Sequence, residues 1–402
     1  MKKYLLIFCM LLVLTVTASA ATVYVSDGGT GNGASASAPL GSLTDAYTTL
    51  GDDGGEIVLC GTVTVPLHKG DTTRTAFVEP AHTGKITVRG ETASTVLLFA
   101  SPYEYHMSGE TEFKNMTISS GDYVKGISIC ARGHHLTMGE GLTMHSTGVV
   151  SGTTQVGSKV YLSGGCIPNA TVDGYLNCAN HLTVKSGTYW GIIGFNRGLN
   201  VATAGSSTIE VGGDVATHYL IAGSSGTSSF VAPSASEIYI IGDLTVTQQI
   251  SLGNQNSDVT SFDSNLILLD GKVDFTENFI DYTARKRMTT LDIYYDTASE
   301  AATTSYETYF KGYGDREGSL SAYCANELGG HTFANGSCTR CGAVEQIQNA
   351  DVVYVSDGGE GSGASAASPL GSLTDAYKAL GADGGEIVLL GTVSVPRSKS
   401  VV

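Results

Sequence analysis

Residues 23–66 read VYVSDGGTGNGASASAPLGSLTDAYTTLGDDGGEIVLCGTVTVP, and residues 353–396 read VYVSDGGEGSGASAASPLGSLTDAYKALGADGGEIVLLGTVSVP. Aligned without a gap, the copies differ at nine of 44 positions, so one module opens twice in this chain. Val23–Val25 is a short β-branched and aromatic run, and a Gly/Ser/Ala loop follows from Gly28 to Ala38. Ser42 is placed to cap a helix, with Asp45 three residues on as the other half of a capping box. Leu43, Ala46, Tyr47 and Leu50 fall at i, i+3, i+4 and i+7, a single apolar face, and Gly51 is the expected stop. Asp53-Gly54-Gly55 then turns into Ile57-Val58-Leu59-Cys60, a run apolar enough to be buried. Cys60 is replaced by Leu390 in the second copy, so the position reads as apolar core packing and not as thiol chemistry. The second opening breaks off at Val402, which points to a longer protein.

Strand, loop, one-sided helix and buried strand are what the entry end of a β-solenoid needs, because a bare end exposes apolar core and unpaired backbone groups. The body agrees. Thr117–Gly121, Leu136–Gly139, Val160–Gly164, Leu182–Gly187, Ile209–Gly212, Ile238–Gly242 and Leu266–Gly271 are short runs ending in glycine. Those glycines are spaced 18, 25, 23, 25, 30 and 29 residues apart, the drifting period of stacked coils. Residues 111–118 alternate inside and outside as a coil strand does. A β-sandwich is the competing fold, but its Asn-Gly hairpin signal occurs at Asn32-Gly33 and Asn335-Gly336, both outside the body. The expected fold is all-β: a right-handed parallel β-helix with an N-terminal capping helix. A small zinc-ribbon-like linker and the start of a second β-helix unit follow it. The expected layout is a signal peptide at 1–20, the β-helix at 21–315, a Cys3His linker at 316–349 and a second cap module at 350–402. Ala298–Phe310 has helical composition suited to closing the C-terminal end.

The repeated module resembles the entry motif of secreted pectate-lyase-like parallel β-helix proteins. The resemblance covers about 45 residues in each copy and implies the fold, not an activity, since that architecture hosts lyases, hydrolases and adhesins.

Lys2-Lys3, an apolar run from Tyr4 to Val16 and Ala18-Ser19-Ala20 read as a secretory signal, too short to span a bilayer. No later segment reaches spanning length, so no membrane insertion is expected beyond the signal. Its removal takes two lysines and moves the net charge from −16 to −18, which argues against nucleic acid or anionic lipid as a partner. Seven of eight cysteines remain after Cys9 is lost, an odd number that cannot pair completely within one chain.

The strongest chemical signal is Cys324-x6-His331-x6-Cys338-x2-Cys341. Three thiols and an imidazole at this spacing match a closed, structural zinc site; the competing reading is a disulfide with a bystander histidine. A segment so poor in apolar residues would take its folding energy from the metal. Asp214, Asp243 and Asp270 each follow a strand, and the resemblance implies that stacked acids here would hold calcium. Ordinary turn chemistry accounts for the same residues. Lyases of this fold also need a basic residue; Arg89, Arg132 and Arg197 lie in coils, but no spacing ties them to the acids. Tyr189-Trp190 is the candidate sugar-stacking pair, of which alternation lets one side chain face outward. His134-His135 reads as a solvated turn, and His145, His181 and His218 as isolated structural residues. The expected function is a secreted or cell-surface repeat protein, non-catalytic, binding an extracellular polysaccharide or host glycan. A polysaccharide lyase or glycoside hydrolase of the pectate-lyase-like fold is the alternative, and a purely structural surface spacer is a third reading.

Overall fold

The structure is a computed structural model that describes residues 21–66, 76–100, 104–120, 126–145, 159–165, 178–195, 205–225, 235–253, 263–275, 290–334, 336–344, 350–381 and 384–395. The signal segment and Arg197 lie outside the described residues. The entry unit is strand β1 (Ala21–Val25) and helix α1 (Leu43–Leu50). Four coils of three strands follow. They are β2 (Gly55–Leu59), β3 (Thr62–Thr64) and β4 (Ala76–Val78); β5 (Ile86–Gly90), β6 (Val96–Leu98) and β7 (Glu104–His106); β8 (Thr111–Lys114), β9 (Met116–Ser119) and β10 (Ile127–Cys130); and β11 (His135–Met138), β12 (Leu142–His145) and β13 (Val160–Ser163). Two long strands, β14 (Ala179–Ile193) and β15 (Ser206–Ile221), come next. The pairs β16 (Ala235–Ile241) with β17 (Leu244–Ser251) and β18 (Asp263–Asp270) with β19 (Val273–Phe275) follow, and then β20 (Thr290–Tyr295).

Pairing between coils is parallel throughout and builds walls. The first wall runs β1, β2, β5, β8, β11, β14, β15, β16, β18, β20. The second is β3, β6, β9, β12, and the third runs from β4, β7, β10 and β13 through the later halves of β14 and β15 to β17 and β19. All seven glycine-ended runs contain strands, but β9 belongs to the second wall and β13 to the third. The irregular glycine spacing is therefore a mixture of walls. On the first wall Ile86, Thr111 and Leu136 stack in register, so these coils are 25 residues long.

Alternation turns register into a core. Ile57, Val88, Phe113, Met138, Val184, Val211, Ile240 and Leu268 form one inward column, each fully or almost fully buried. Each such side chain contributes about 1.5–3 kcal/mol on burial. At the far end α2 (Glu300–Ser305) and a π-helical turn at Tyr306–Phe310 press Ala302, Tyr306 and Phe310 into the same core. The expected C-terminal closure is present.

At the entry end α1 buries the expected face: Leu43, Ala46, Tyr47 and Leu50. Ser42 Oγ accepts from the Asp45 amide at 3.2 Å and donates to Asp45 Oδ2 at 2.8 Å. Cys60 lies just beyond β2 and is half-buried, as is Leu390, so the position is a strand end and not the core site its Cys/Leu exchange suggests. Tyr47 reaches through the core to a charged group. Its hydroxyl donates to Glu79 Oε1 at 2.7 Å and accepts from Tyr105 at 2.8 Å. Glu79, 2 % exposed, also accepts from Thr111 Oγ at 3.1 Å and the Ser108 amide at 3.0 Å, and pairs with His82 Nε2 at 3.1 Å. His82 Nδ1 donates to the Gly84 carbonyl at 2.8 Å, so both ring nitrogens face acceptors. Burial opposes a charge on His82. Its hydrogen bonds to Glu79 and Gly84 and the Glu79 charge outweigh burial and raise it above 6.5.

The second copy, β24 (Val352–Val355), β25 (Glu360–Ser365), β26 (Ser368–Leu370), α4 (Leu373–Leu380) and β27 (Glu386–Leu389), repeats this design. Ser372 caps α4 as Ser42 caps α1, and the Asp357 carboxylate grips Ser394 as Asp27 grips Thr64. Tyr377, Leu389 and Val395 are 67 %, 52 % and 75 % exposed, whereas Tyr47, Leu59 and Val65 are at most 1 % exposed. In the first copy these side chains are covered by the coils stacked on the module.

Glu79→Ala leaves a buried imidazolium and a phenol without their acceptor, and the expected loss is about 3–5 kcal/mol in denaturant titration. His82 has a raised folded value, so its contribution is fully present below the ordinary 6.5 and is lost as pH rises through the higher folded value. The gap between wild type and variant should narrow above neutrality; an equal gap at acid and alkaline pH would rule out a charged pair.

Candidate metal centre

Beyond the stack, β21 (Arg316–Ser319) leads into α3 (Leu320–Asn326) and a hairpin of β22 (Phe333–Ala334) and β23 (Ser337–Cys338). β21 pairs in parallel with β20, Asp292 opposite Arg316 and Tyr295 opposite Ser319. The sheet therefore crosses the expected boundary at 315/316, and the segment is not a free linker.

Each expected ligand is delivered by local backbone chemistry. Ser319 caps α3, accepting from the Ala322 amide, and the helix carries Cys324 at its buried face. The hairpin pairs Phe333 with Cys338, and Gly342, at φ 68°, turns the chain back just after Cys341 so that its amide reaches the Cys338 carbonyl at 3.0 Å. Cys324, His331, Cys338 and Cys341 place one donor atom each within 4.8 Å of one another. A tetrahedron with metal–sulfur bonds of about 2.3 Å has edges of about 3.8 Å, which fits that spread. Among the described residues this is the sole group of three or more His, Cys, Asp or Glu side chains so arranged, and these cysteines are free thiols. His331 Nδ1 faces the Cys341 sulfur at 3.4 Å. Burial would push the Cys338 thiol up, but amide donors from Cys341 and Arg340 and the His331 ring bring it to about 6. Burial and the neighbouring thiols push Cys324 up to about 12. Cys338 is thus the thiol that ionises more readily, and a bound cation would have to displace the proton held by Cys324. The four side chains can hold a metal ion with all positions filled by protein.

The knuckle rests on the outer surface of the first wall. Leu320, Tyr323, Cys324 and Cys338 pack against Tyr239, Ile267 and Tyr294, which project outward from β16, β18 and β20. Tyr323 donates to Glu237, and its hydroxyl lies 3.2 Å from that of Tyr239. Arg340, inside the Cys338–Cys341 loop, donates to the Tyr239 hydroxyl at 3.2 Å. Arg316 donates to the Tyr294 hydroxyl and pairs with Asp292 and Glu327. Sequence reasoning missed this seat, although a signal existed. Residues 238–240, 266–268 and 293–295 are apolar or aromatic at every position, so both faces of those strands are covered.

The other expected site residues do not converge. Tyr189 is 1 % exposed and donates to the Ser186 carbonyl at 2.7 Å, so it belongs to the core and cannot stack on a ligand. Trp190 is the outward partner, half-buried, with the His218 ring 4.3 Å away on the next coil and Lys159 Nζ 5.5 Å over its own ring from the previous one. The aspartates do not form a ladder of three. Val215 pairs with Leu244 and Leu244 with Val273, so Asp214 and Asp243 share a column whose next member is Lys272. Asp270 pairs with Ile241 instead and accepts from the Gly271 amide and Ser299 Oγ. Asp243 accepts from the Lys272 amide at 2.7 Å. These are turn and cap duties. Arg89 is committed to Glu56 in a bidentate pair. His135 and His181 are not isolated: their rings stack at 3.9 Å and 5° on the first wall.

The second wall ends at β12, while β14 and β15 run straight from the first wall toward the third. This change of outline leaves an open cleft of about 710 Å³ beside Glu140, Leu142, Lys185 and Asp214. No protein-family model matches the chain, and neither a curated protein nor a solved structure matches it. Among the described residues no helix is long and apolar enough to cross a membrane. Fold and site define a parallel β-solenoid with a helical entry cap and a Cys3His cluster at its far end.

The full chain should bind one divalent metal ion, measured by elemental analysis. Cys338→Ser should weaken binding by more than the about 10–100-fold that an outer-shell partner is worth. Because thiols must lose protons to bind, affinity should fall as pH falls. A disulfide and no metal would remove the site.

Proposed function

We propose that this protein is a secreted, non-catalytic β-helix module. It binds an extended extracellular polysaccharide or host glycan along the first wall, and a structural zinc ion fills its Cys3His cluster. The observation that carries the binding reading is the outward surface of that wall. Glu56, Thr87, Glu112, Thr137, Thr183 and Glu210 form one column on successive coils. Lys85, Glu110, His135, His181 and Thr208 form its neighbour, one turn of alternation away. Strands about 4.8 Å apart repeat these polar groups along the stack, a periodic array of donors and acceptors suited to a polymer of hydroxylated units. The charged members are paired: Glu56 with Arg89, which lies outside both columns, Lys85 with Glu112 at 3.1 Å, and His181 with Glu210 at 3.6 Å. Thr183 Oγ bridges His135 Nε2 at 3.0 Å and Glu210 at 3.1 Å. Such a surface is a ladder of paired side chains, with His181 Nε2 left without a hydrogen bond, and not an acid, a base and a nucleophile aimed at one atom.

Zinc is favoured by the donor set, since three thiolates and an imidazole suit a tetrahedral, redox-inert ion. Four protein ligands leave no open position, which makes the role structural. One observation favours the enzyme reading: Glu140 and Asp214 line one cleft together with Lys185. Two carboxylates flanking a groove are the equipment of a glycoside hydrolase.

A glycan array probed with the mature chain should show binding to polysaccharides. Thr87→Arg, which places bulk in mid-column, should cut it by at least about fivefold, the size of a modest hot spot. Lys378→Ala in the second cap should have no effect. Release of reducing or unsaturated sugar that disappears in Asp214→Asn and Glu140→Gln would favour the enzyme instead.

A further inference from the structure

Cys324 and Cys338, 1 % and 5 % exposed, are both ligands and members of the apolar seam under the knuckle. Little else fixes the shape of this segment. Its hairpin has two residue pairs, and α3 has seven residues. The surface beneath is unlike the rest of the wall. In the column that reads Glu56, Thr87, Glu112, Thr137, Thr183 and Glu210, the next three members are Tyr239, Ile267 and Tyr294. All three are at most 6 % exposed, and among the described residues the knuckle, α3 and Arg316 of β21 cover them.

Building on the zinc reading above, we propose that the ion is a latch. It holds the knuckle as a removable cover over the outer surface of β16, β18 and β20, and its loss frees a strip of aromatic surface continuous with the open polar column. The physical reason is a shared set of atoms. With the metal bound, Cys324 and Cys338 are fixed side by side, and the Leu320–Tyr323 face of α3 is seated with them. Without it, nothing joins α3, the hairpin and the Cys338–Cys341 loop at their four donor atoms, and the fold of the knuckle loses the interaction that outweighs its chain entropy. The remaining ties are the Leu320 and Tyr323 seam, the pairing of β21 with β20, and the polar contacts of Tyr323 with Glu237, Arg340 with Tyr239, and Arg316 with Asp292 and Glu327. The solenoid core lies on the other side of the wall and does not depend on the cover. Metal occupancy thereby sets how far the ligand-facing surface extends.

The test is hydrogen–deuterium exchange and hydroxyl-radical footprinting of the full chain, loaded with zinc and then stripped by a chelator, with metal content measured in each sample. Amides of α3 should exchange about tenfold faster or more after stripping. Tyr239 and Tyr323 should become reactive, β14 and β15 should be unchanged, and zinc should restore the first state. Cys341→Ser, which removes a half-exposed ligand at the edge of the seam and leaves its fully buried members intact, should behave like stripped protein in zinc. Unchanged exchange and tyrosine reactivity in a chain shown to have lost its zinc would overturn the latch and leave the zinc reading standing. A chain that takes up no zinc would overturn both.

Discussion

A parallel ladder satisfies backbone groups along its length and leaves them bare at its ends, and most of this structure answers that constraint. Each coil covers the inward column of the one before it, so the core has no natural stopping point. The chain supplies stops. At one end α1 lays Leu43, Tyr47 and Leu50 over the first coil, and at the other α2 and the turn after it insert Ala302, Tyr306 and Phe310. Near-identical helices bury Tyr47 fully and leave Tyr377 exposed, and in the first copy the stacked coils cover Tyr47.

The same constraint explains the charged cluster in the core. An apolar cap would slide over an apolar coil with little preference. Tyr47 instead ends on Glu79, whose carboxylate is met by donors from Thr111, Ser108 and His82. A fully satisfied buried carboxylate accepts one arrangement of donors, so it fixes the angle of the cap over the coils beneath it. The burial cost is offset by donors that come from three different parts of the chain.

The outer surface of the first wall follows from alternation. Where outward residues are Glu, Thr and His, they bond one another and share their surface with solvent; where they are Tyr, Ile and Tyr, protein must cover them. The Cys3His knuckle is that protein. Its placement is dictated as much by the apolar strip on β16, β18 and β20 as by its own ligands, and Glu237 and Arg340 set its register on the strip.

Much of this was legible in the chain. The capping box, the i, i+3, i+4, i+7 face of α1, the glycine-ended strands and the four ligands are local patterns, written within 20 residues of one another, and short-range periodicity reads them directly. Register is different. Whether Asp270 joins Asp214 and Asp243 depends on the length of intervening turns, and a shift at Ile240/Ile241 sends it to another column. Whether Tyr189 or Trp190 faces out depends on a bulge at Val184/Ser186. The pairing of Tyr47 with Glu79, and of Tyr323 with Tyr239 and Tyr294, joins residues 29 to more than 80 positions apart. Sequence determined the coil, the caps and the ligand set, because those are set by neighbours along the chain; only the tertiary structure decided which columns line up and what covers them, because coil length accumulates across the stack.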